Sequence, residues 1–328
     1  IKDNQKPSLD ENKLQTIISY DLADDSQYPL NQNEKQKVID SLEKLKLLDP
    51  ACGSGAFPIG ALQKIVFILQ QIDQDGQLWF HIQIKKASPE IRRVIEREFS
   101  HKNFDYIRKL GVIRENIYGV DVQPIATEIS RLRCFLTLVV DERVDDSLVN
   151  RGIEPLPNLD FKFVAANSLI GLSSSQQTTL FKDQAGIDQL KDLRNQFFNA
   201  TNSERFQLKD EFKEIQKKML LRMLETRGGD EVTRQLSAWD PFSNKTSLWF
   251  DPEWMFGVED GFDIVIANPP YLKERNNKHI FNEVNKSEFG KKYHQGKMDF
   301  WFYFLHKAID LAKNNGAISY ITSRYWIN

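Results

Sequence analysis

At 328 residues, 41% of them apolar, the chain can build a sizeable core, either as two domains or as one enlarged α/β domain. A net charge of −2 removes any global basic signature, so a nucleic-acid partner would need a basic face hidden within a neutral total. Two cysteines, Cys52 and Cys134, in no metal-ligand spacing leave no disulfide framework and no cysteine-held metal site, which points to a reducing, cytoplasmic setting. No apolar run approaches a bilayer span and no signal peptide is visible; the opening on Ile1 suggests a piece of something longer.

Residues 1–44 are polar and predict a helical flank, with one helix opening at Leu9–Leu14 and another over Asn33 to Lys46. Lys46 to Asp49 predicts a strand that runs straight into Pro50-Ala51-Cys52-Gly53-Ser54-Gly55-Ala56-Phe57. Beyond it Ile59, Leu62, Val66, Leu69 and Ile72 recur at helical spacing. This is strand, glycine turn, helix. The turn lacks the Lys-Ser/Thr pair of a phosphate-binding loop and the three-glycine dinucleotide fingerprint. A nucleoside-type ligand without phosphate fits such a turn. Asp49 could take an ammonium group while the open helix N-terminus takes a carboxylate. Residues 73–115 are charged and predict a surface insertion with a helix near Ile91 to Phe99, in which Arg92, Arg93, Glu96, Arg97 and Glu98 form a solvated face.

Asn116 to Asp121 predicts a second strand ending in an acid, and Pro124 opens a helix with Ile125, Ile129, Leu132, Leu136 and Val139 on one face. An acid in that position can grip a ribose diol or cap the next helix, and Val122 can lie against a base. Phe161 to Ala166 predicts a third strand, followed by Asn167-Ser168-Leu169-Ile170-Gly171. Asn167 either reads the edge of an adenine or closes a turn through its own backbone. Residues 173–261 form a long insertion. Its helices over Leu190 to Leu224 turn Leu193, Phe197, Phe206, Phe212, Ile215, Met219 and Leu220 to one side, and an aromatic-rich segment at Trp249–Phe256 leads into a fourth strand.

That strand, Ile264 to Ala267, stops at Asn268-Pro269-Pro270-Tyr271. The prolines hold a rigid extended turn that presents an amide, a carbonyl and an aromatic ring at the strand's C-terminal end. An amide oxygen and a carbonyl oxygen can accept both hydrogens of one planar amino group, and a tyrosine ring can stack on the base that carries it. Residues 272–297 then hold Lys273, Arg275, Lys278, His279, Lys286, Lys291, Lys292, His294 and Lys297 with few acids. A flexible basic loop there would suit a phosphate backbone, or be an ordinary solvated loop. A helix is expected over Asp299 to Asn314, stopped by Gly316 at C′, and then a fifth strand over Ala317 to Thr322.

In this order, Asp49-Pro50-Ala51-Cys52-Gly53-Ser54-Gly55, then Asp121, then Asn167-Ser168-Leu169, then Asn268-Pro269-Pro270-Tyr271, the sequence resembles the S-adenosylmethionine-dependent N6-adenine DNA methyltransferases. The glycine motif preceding Asn-Pro-Pro-Tyr resembles their gamma order, and the long inserts resemble the modification modules of type IIG restriction–modification enzymes and related phage-defence methylases. The resemblance runs from about Leu45 to Asn328. It implies an α/β fold with a doubly wound, mostly parallel sheet, the class I S-adenosylmethionine-dependent methyltransferase fold, with helical insertions and a sheet cut short at its C-terminal end. The implied catalytic core is 45–328, with the target-recognition domain outside this chain.

Residue by residue, the resemblance implies that Asp49 through Phe57 cradle the methionine part of S-adenosyl-L-methionine. Asp121 would hold the ribose hydroxyls, Val122 would pack on the cofactor adenine, and Asn167 with Ser168 and Leu169 would line its amino edge. Asn268 and the Pro269 carbonyl would accept the N6 hydrogens of a target adenine flipped out of double-stranded DNA, with Tyr271 stacked on it. No metal is needed, and a nuclease or specificity region is expected only in a longer parent. Two alternatives stay open: a methyltransferase acting on glutamine side chains of proteins, and a catalytically silent DNA-binding or scaffold subunit.

Overall fold

Short apolar runs become the strands of a parallel sheet here: Leu47–Asp49 and nearly all of Ile117–Asp121 are buried, Phe262–Ala267 is buried at intervals, and Ala312–Tyr320 is half-buried to exposed. The computed structural model of the chain describes residues 9–19, 30–87, 89–142, 146–147, 151, 157–172, 184–200, 202–227 and 231–324. In chain order the elements are α1 (Glu11–Ile18), α2 (Gln32–Lys44), β1 (Leu47–Asp49), α3 (Ala56–Ile72), α4 (Gln77–Lys86), α5 (Pro89–Ser100), α6 (Phe104–Glu115), β2 (Ile117–Asp121), α7 (Pro124–Val139) and β3 (Phe163–Ala165). They continue with α8 (Gln184–Asn199), α9 (Asn202–Arg227), α10 (Glu231–Ala238), α11 (Pro252–Phe256), β4 (Phe262–Ala267), α12 (Lys278–Asn285), α13 (Glu288–Tyr293), α14 (Trp301–Leu311) and β5 (Ala312–Tyr320). The chain divides into two compact units, Ile1–Lys46 with Ile59–Ile117 and Arg133–Pro155, and Leu47–Pro58 with Tyr118–Leu132 and Leu156–Asn328.

The first unit is helical. Asn31 and Glu34 form a reciprocal capping box at the start of α2. Residues 73–115, expected from their charge to be a surface insertion, carry a core of their own. Trp79 is fully buried, together with Ile95, Ile107, Leu110, Val112 and Ile113. Asp73 caps α4 by accepting from the N–H groups of Leu78 and Trp79. Gly111 lets α6 approach α4 closely: a Cβ there would lie 2.7 Å from the Gln83 side chain. Glu98, expected on a solvated face, is buried, and its carboxylate takes hydrogen bonds from Arg97 and Asn103. Composition misleads here because long charged side chains can bury their stems and still pair their heads.

The second unit holds the sheet, in the order β3-β2-β1-β4-β5. The pairs β1–β4, β2–β3 and β4–β5 are parallel. This is the doubly wound pattern, in which the strand order reverses between β1 and β4, and such switch points are where open α/β sheets bind ligands. Its core joins Leu48, Val120, Val164, Phe262 and Val265 of the strands to Leu193, Phe197, Phe212, Met219, Trp249, Phe250, Trp254 and Phe256 of the long insertion. Residues 173–183 lie outside the described residues.

Three expectations change. Phe206, read as part of the inward side, is 74% exposed. On α7 the buried positions are Ala126, Thr127, Ser130, Cys134 and Leu138, and the aliphatic stripe Ile125, Ile129, Leu132 and Leu136 is exposed. Close packing there requires small side chains, which periodicity of large apolar residues does not reveal. The last helix ends at Leu311, not Asn314, and β5 begins at once. Gly316 serves the strand rather than a helix cap: a Cβ there would lie 3.0 Å from the Phe262 carbonyl oxygen, beside a register irregularity between Phe262 and Ile264.

Candidate functional site

β1 ends at Asp49, and the next residues turn sharply over its C-terminal edge. Gly53 and Gly55 have φ of +52° and +81°, a region that glycine enters without steric cost. At Gly55 a side chain is also excluded by space, because a Cβ would sit 2.8 Å from Ser130 Oγ. Ser130 donates to the carbonyls of Gly53 and Ala126, so its single proton is shared between the turn and its own helix. The Cys52 N–H donates to the Val120 carbonyl at 2.9 Å. Burial pushes the Cys52 thiol well above its ordinary range, which makes it a packing residue rather than a nucleophile.

The loops after β2 and β3 are tied to this turn. Asp121 accepts the Gly53 N–H on Oδ2 at 2.9 Å and the Gln123 N–H on Oδ1 at 2.8 Å. It therefore closes a turn just before α7 and clamps the glycine turn, and each oxygen keeps a lone pair for a further donor. Ser168 is buried and donates to the Pro50 carbonyl at 2.7 Å. Leu169 is buried in a second hydrophobic cluster with Phe281, Phe300 and Tyr303. Asn167 accepts the Leu169 N–H at 3.2 Å, the turn-closing bond, while its own N–H donates to the Ser247 carbonyl. Pro50 is buried, Ala51, Gly53, Ser54 and Phe57 are half-buried, and Val122 is 56% exposed beside them in the fold.

Asp49 is the electrostatic centre of this end. Its carboxylate is 1% exposed; Oδ1 accepts the Ala51 N–H at 3.0 Å, and Oδ2 has no hydrogen-bond partner. Burial, with a smaller contribution from the charge of Asp121, raises its pKa to about 7. The Tyr320 hydroxyl is a second buried polar atom without a partner, and its acidity is suppressed by burial and by the nearby Asp49. Tyr320 pairs in register with Ala267, so it flanks the end of β4 from β5 as Asp49 flanks it from β1.

β4 delivers Asn268-Pro269-Pro270-Tyr271 at this same edge. Pro269 is buried; Asn268 and Pro270 are exposed and Tyr271 is 47% exposed. The Tyr271 hydroxyl lies 2.7 Å from Asn268 Oδ1 and 2.7 Å from the Ile321 carbonyl oxygen, and its one proton serves both. Thus the amide oxygen expected to meet a ligand already faces a donor. A planar amino group entering here would compete with that hydroxyl or use the oxygen's other lone pair.

Sequence reading missed the supporting residues. Ser130 locks the turn, Thr246 donates to the Val122 carbonyl at 2.8 Å, and Ser247 bridges Ala166, which sets the exposed Leu248 beside Asn167. In the sequence Tyr320 shows only as part of a strand. These contacts join positions dozens to more than a hundred residues apart, and no local spacing signals them. Among the described residues no group of three or more His, Cys, Asp or Glu is placed to hold a metal ion, and no helix is long and apolar enough to cross a membrane.

A candidate type II restriction enzyme and methyltransferase of Methanocaldococcus jannaschii is 27% identical over 92% of the chain, which corresponds to 28% of that protein. An adenine-specific methyltransferase, BrxX, of Escherichia coli O9:H4 is 22% identical over 87% of the chain and 22% of that protein. The chain thus spans about a quarter of the length of these curated relatives. The sequence pattern described as the Eco57I restriction-modification methylase matches residues 115–328, from the strand that ends in Asp121 through Asn268–Tyr271 to β5, and the chain belongs to that family.

Proposed function

We propose that the chain is the catalytic part of an adenine-specific DNA methyltransferase that uses S-adenosyl-L-methionine and acts on N6 of an adenine flipped out of duplex DNA. One observation carries this reading. The glycine turn after β1 and the Asn268–Tyr271 element after β4 emerge side by side at the switch point of the sheet, with the unpartnered Asp49 carboxylate oxygen buried at their base.

The residues present suit that cofactor. Asp49 Oδ2 is a buried acceptor in want of a cation, as an amino-acid ammonium would supply. Asp121 has acceptor capacity left for ribose hydroxyls, and the exposed Val122 offers an apolar face to a base. When bound, S-adenosyl-L-methionine supplies an electrophilic methyl on a sulfonium. The chain's work is then to bring a weak nucleophile to it, since the adenine amine's lone pair is delocalised into its ring. Asn268 Oδ1 and the Pro269 carbonyl would accept the two N6 hydrogens, which favours a pyramidal nitrogen and localises its lone pair for attack. Tyr271 exchanges its hydrogen bond to Asn268 for a stack on the extruded base and offsets part of the unstacking cost of a few kcal/mol. The catalytic core is read as 45–328 with 1–44 as a flank. Sequence recognition and any nuclease belong to other parts of a longer restriction–modification or phage-defence protein.

The test is to express the protein in a methylation-free host and map modified bases in the genomic DNA, with Asn268→Ala as control. N6-methyladenine at one recurring motif, lost in the variant, is the expected result. An unmodified genome despite cofactor binding in calorimetry would transfer the assignment to a glutamine-modifying enzyme or to a silent scaffold.

A further inference from the structure

The basic stretch that follows Tyr271 is a folded platform. It leaves β4 and returns through a clasp: Lys273 and Asp299 form an antiparallel bridge, the Glu274 N–H donates to the Met298 carbonyl, and the Phe300 N–H donates to the Leu272 carbonyl. Glu274 fastens the far side, with one oxygen on the His294 ring at 2.8 Å and the other accepting the Lys297 N–H. Beneath lies the separate hydrophobic cluster that joins Phe281 and Val284 of α12 to Met298, Phe300, Tyr303 and Phe304. Gly290 lets α13 cross α12 at backbone contact; a Cβ there would lie 2.0 Å from the Val284 carbonyl oxygen.

Such folded structure is unexpected for a loop of this composition, and its outer surface is cationic. Residues 272–297 hold seven lysines and arginines against three glutamates, in a chain whose net charge is −2. One of those glutamates, Glu274, is already engaged by His294. Lys278 and Asn282 of α12 and Lys286, the C-cap residue that follows it in helical conformation, are exposed at i, i+4 and i+8, on the side away from Phe281 and Val284. At 1.5 Å rise per residue, Lys278 and Lys286 stand about 12 Å apart along the axis, a row suited to several anionic groups in succession rather than one. Lys291 and Arg275 are exposed too, and none of Arg275, Lys278, Lys286 and Lys291 forms an ion pair among the described residues.

We propose that the α12–α13 platform is a preformed grip for the sugar-phosphate backbone of duplex DNA, placed to hold the strand beside the Asn268–Tyr271 element. The inference rests on the reading that this element takes a nucleic-acid base. A polymer whose base enters there must lay its phosphates on the surrounding surface, and the platform begins at the residue after Tyr271. Apolar packing already orders the platform's backbone, so little backbone ordering entropy is lost on binding, and Lys278, Lys286 and Lys291 keep their charges for phosphates.

The test uses a fluorescent duplex oligonucleotide of mixed sequence, with anisotropy titrations over a range of salt concentrations, and the triple variant Lys278→Gln, Lys286→Gln, Lys291→Gln. All three side chains are exposed, so melting temperature and S-adenosyl-L-methionine binding should be unchanged. The expected result is at least a tenfold loss of duplex affinity at low salt and a log–log salt slope shallower by up to about three, near 0.9 per lost phosphate contact. Unchanged affinity and slope in the triple variant would overturn the proposal while leaving any observed methyl transfer in place. Platform-dependent binding to poly-glutamate with none to the duplex would overturn it in favour of an acidic protein partner. Platform-dependent duplex binding in a protein that methylates no DNA would support the grip and remove the proposed reaction alone.

Discussion

The two halves of the candidate site are built on opposite plans. At the β1 end nearly every polar group is committed before any ligand arrives: Asp121 clamps Gly53, Ser130 closes on the turn, and Ser168 holds the Pro50 carbonyl. At the β4 end, Asn268 and Tyr271 stand exposed and satisfy each other. A preorganised pocket suits a small diffusible ligand, because little is lost in ordering it. An exposed, self-satisfied pair suits a large substrate that must first displace something. The difference also predicts how each half fails. Damage to the glycine turn at the β1 end should lower stability and cofactor affinity together, whereas damage at the β4 end should lower the rate or DNA binding and leave cofactor affinity intact.

The sharpest break is Asn268→Ala. Single-turnover methyl transfer should fall by at least about 10²-fold, the scale for losing one positioned hydrogen-bonding group at a reacting centre. Cofactor affinity in calorimetry should stay within about twofold. A parallel loss of cofactor binding would erase the division between the halves.

Gly55→Ala tests the opposite plan. It meets both a positive φ and the Ser130 side chain, so urea unfolding should show a loss of about 3 kcal/mol. Gly53→Ala, with a positive φ but open space, should lose only about 1–2 kcal/mol. Equal losses at the two glycines would mean that Ser130 does not close the turn.

Asp49 brings pH into the comparison. Its folded pKa is raised to about 7, so its stabilising effect is complete below the ordinary carboxylate range and is lost as pH rises through 7. Ligand binding runs the other way, because an ammonium needs the ionised carboxylate. Cofactor affinity should therefore rise with pH by up to about tenfold per unit below pH 7 and then level off. Asp49→Asn should flatten that slope, weaken affinity at pH 8 by about tenfold, and hold a steadier melting temperature between pH 5 and 8. A wild-type slope that survives the substitution would remove Asp49 from the site.

Tyr271 gives the smallest and most discriminating contrast. Tyr271→Ala should weaken binding of a duplex carrying a mismatched target base by about tenfold through lost stacking. Tyr271→Phe keeps the ring and frees Asn268 Oδ1, so binding should change by less than about threefold, towards tighter. If Tyr271→Phe proves as damaging as Tyr271→Ala, the hydroxyl is part of the reaction rather than a stand-in for the base.

Much of this was legible in the linear sequence. Four of the five strands lie within a residue or two of where apolar runs and their stops predict them, and both motif turns fall at strand ends, because proline and glycine punctuate locally. The aromatic segment Trp249–Phe256, legible as apolar in the sequence, packs into the core of the sheet. The α7 stripe, the buried helices of 73–115 and the start of β5 were not legible, since each depends on which partner surface a segment meets. The basic stretch was legible as charge but not as a folded platform, because its clasp pairs Leu272–Glu274 with Met298–Phe300 across an intervening pair of helices.

By itself, then, the sequence determined the kinds of element and the chemistry available at their ends: a phosphate-free glycine turn, an acid after β2, and an amide, a carbonyl and an aromatic after β4. Only the tertiary structure decided that β1 and β4 are neighbours, that Asp49 Oδ2 and the Tyr320 hydroxyl are left buried without partners, and that Asn268 waits paired with Tyr271. The physical reason is range. Backbone preferences act over a few residues, while desolvation and hydrogen-bond satisfaction are settled by groups that chain folding brings together from far apart.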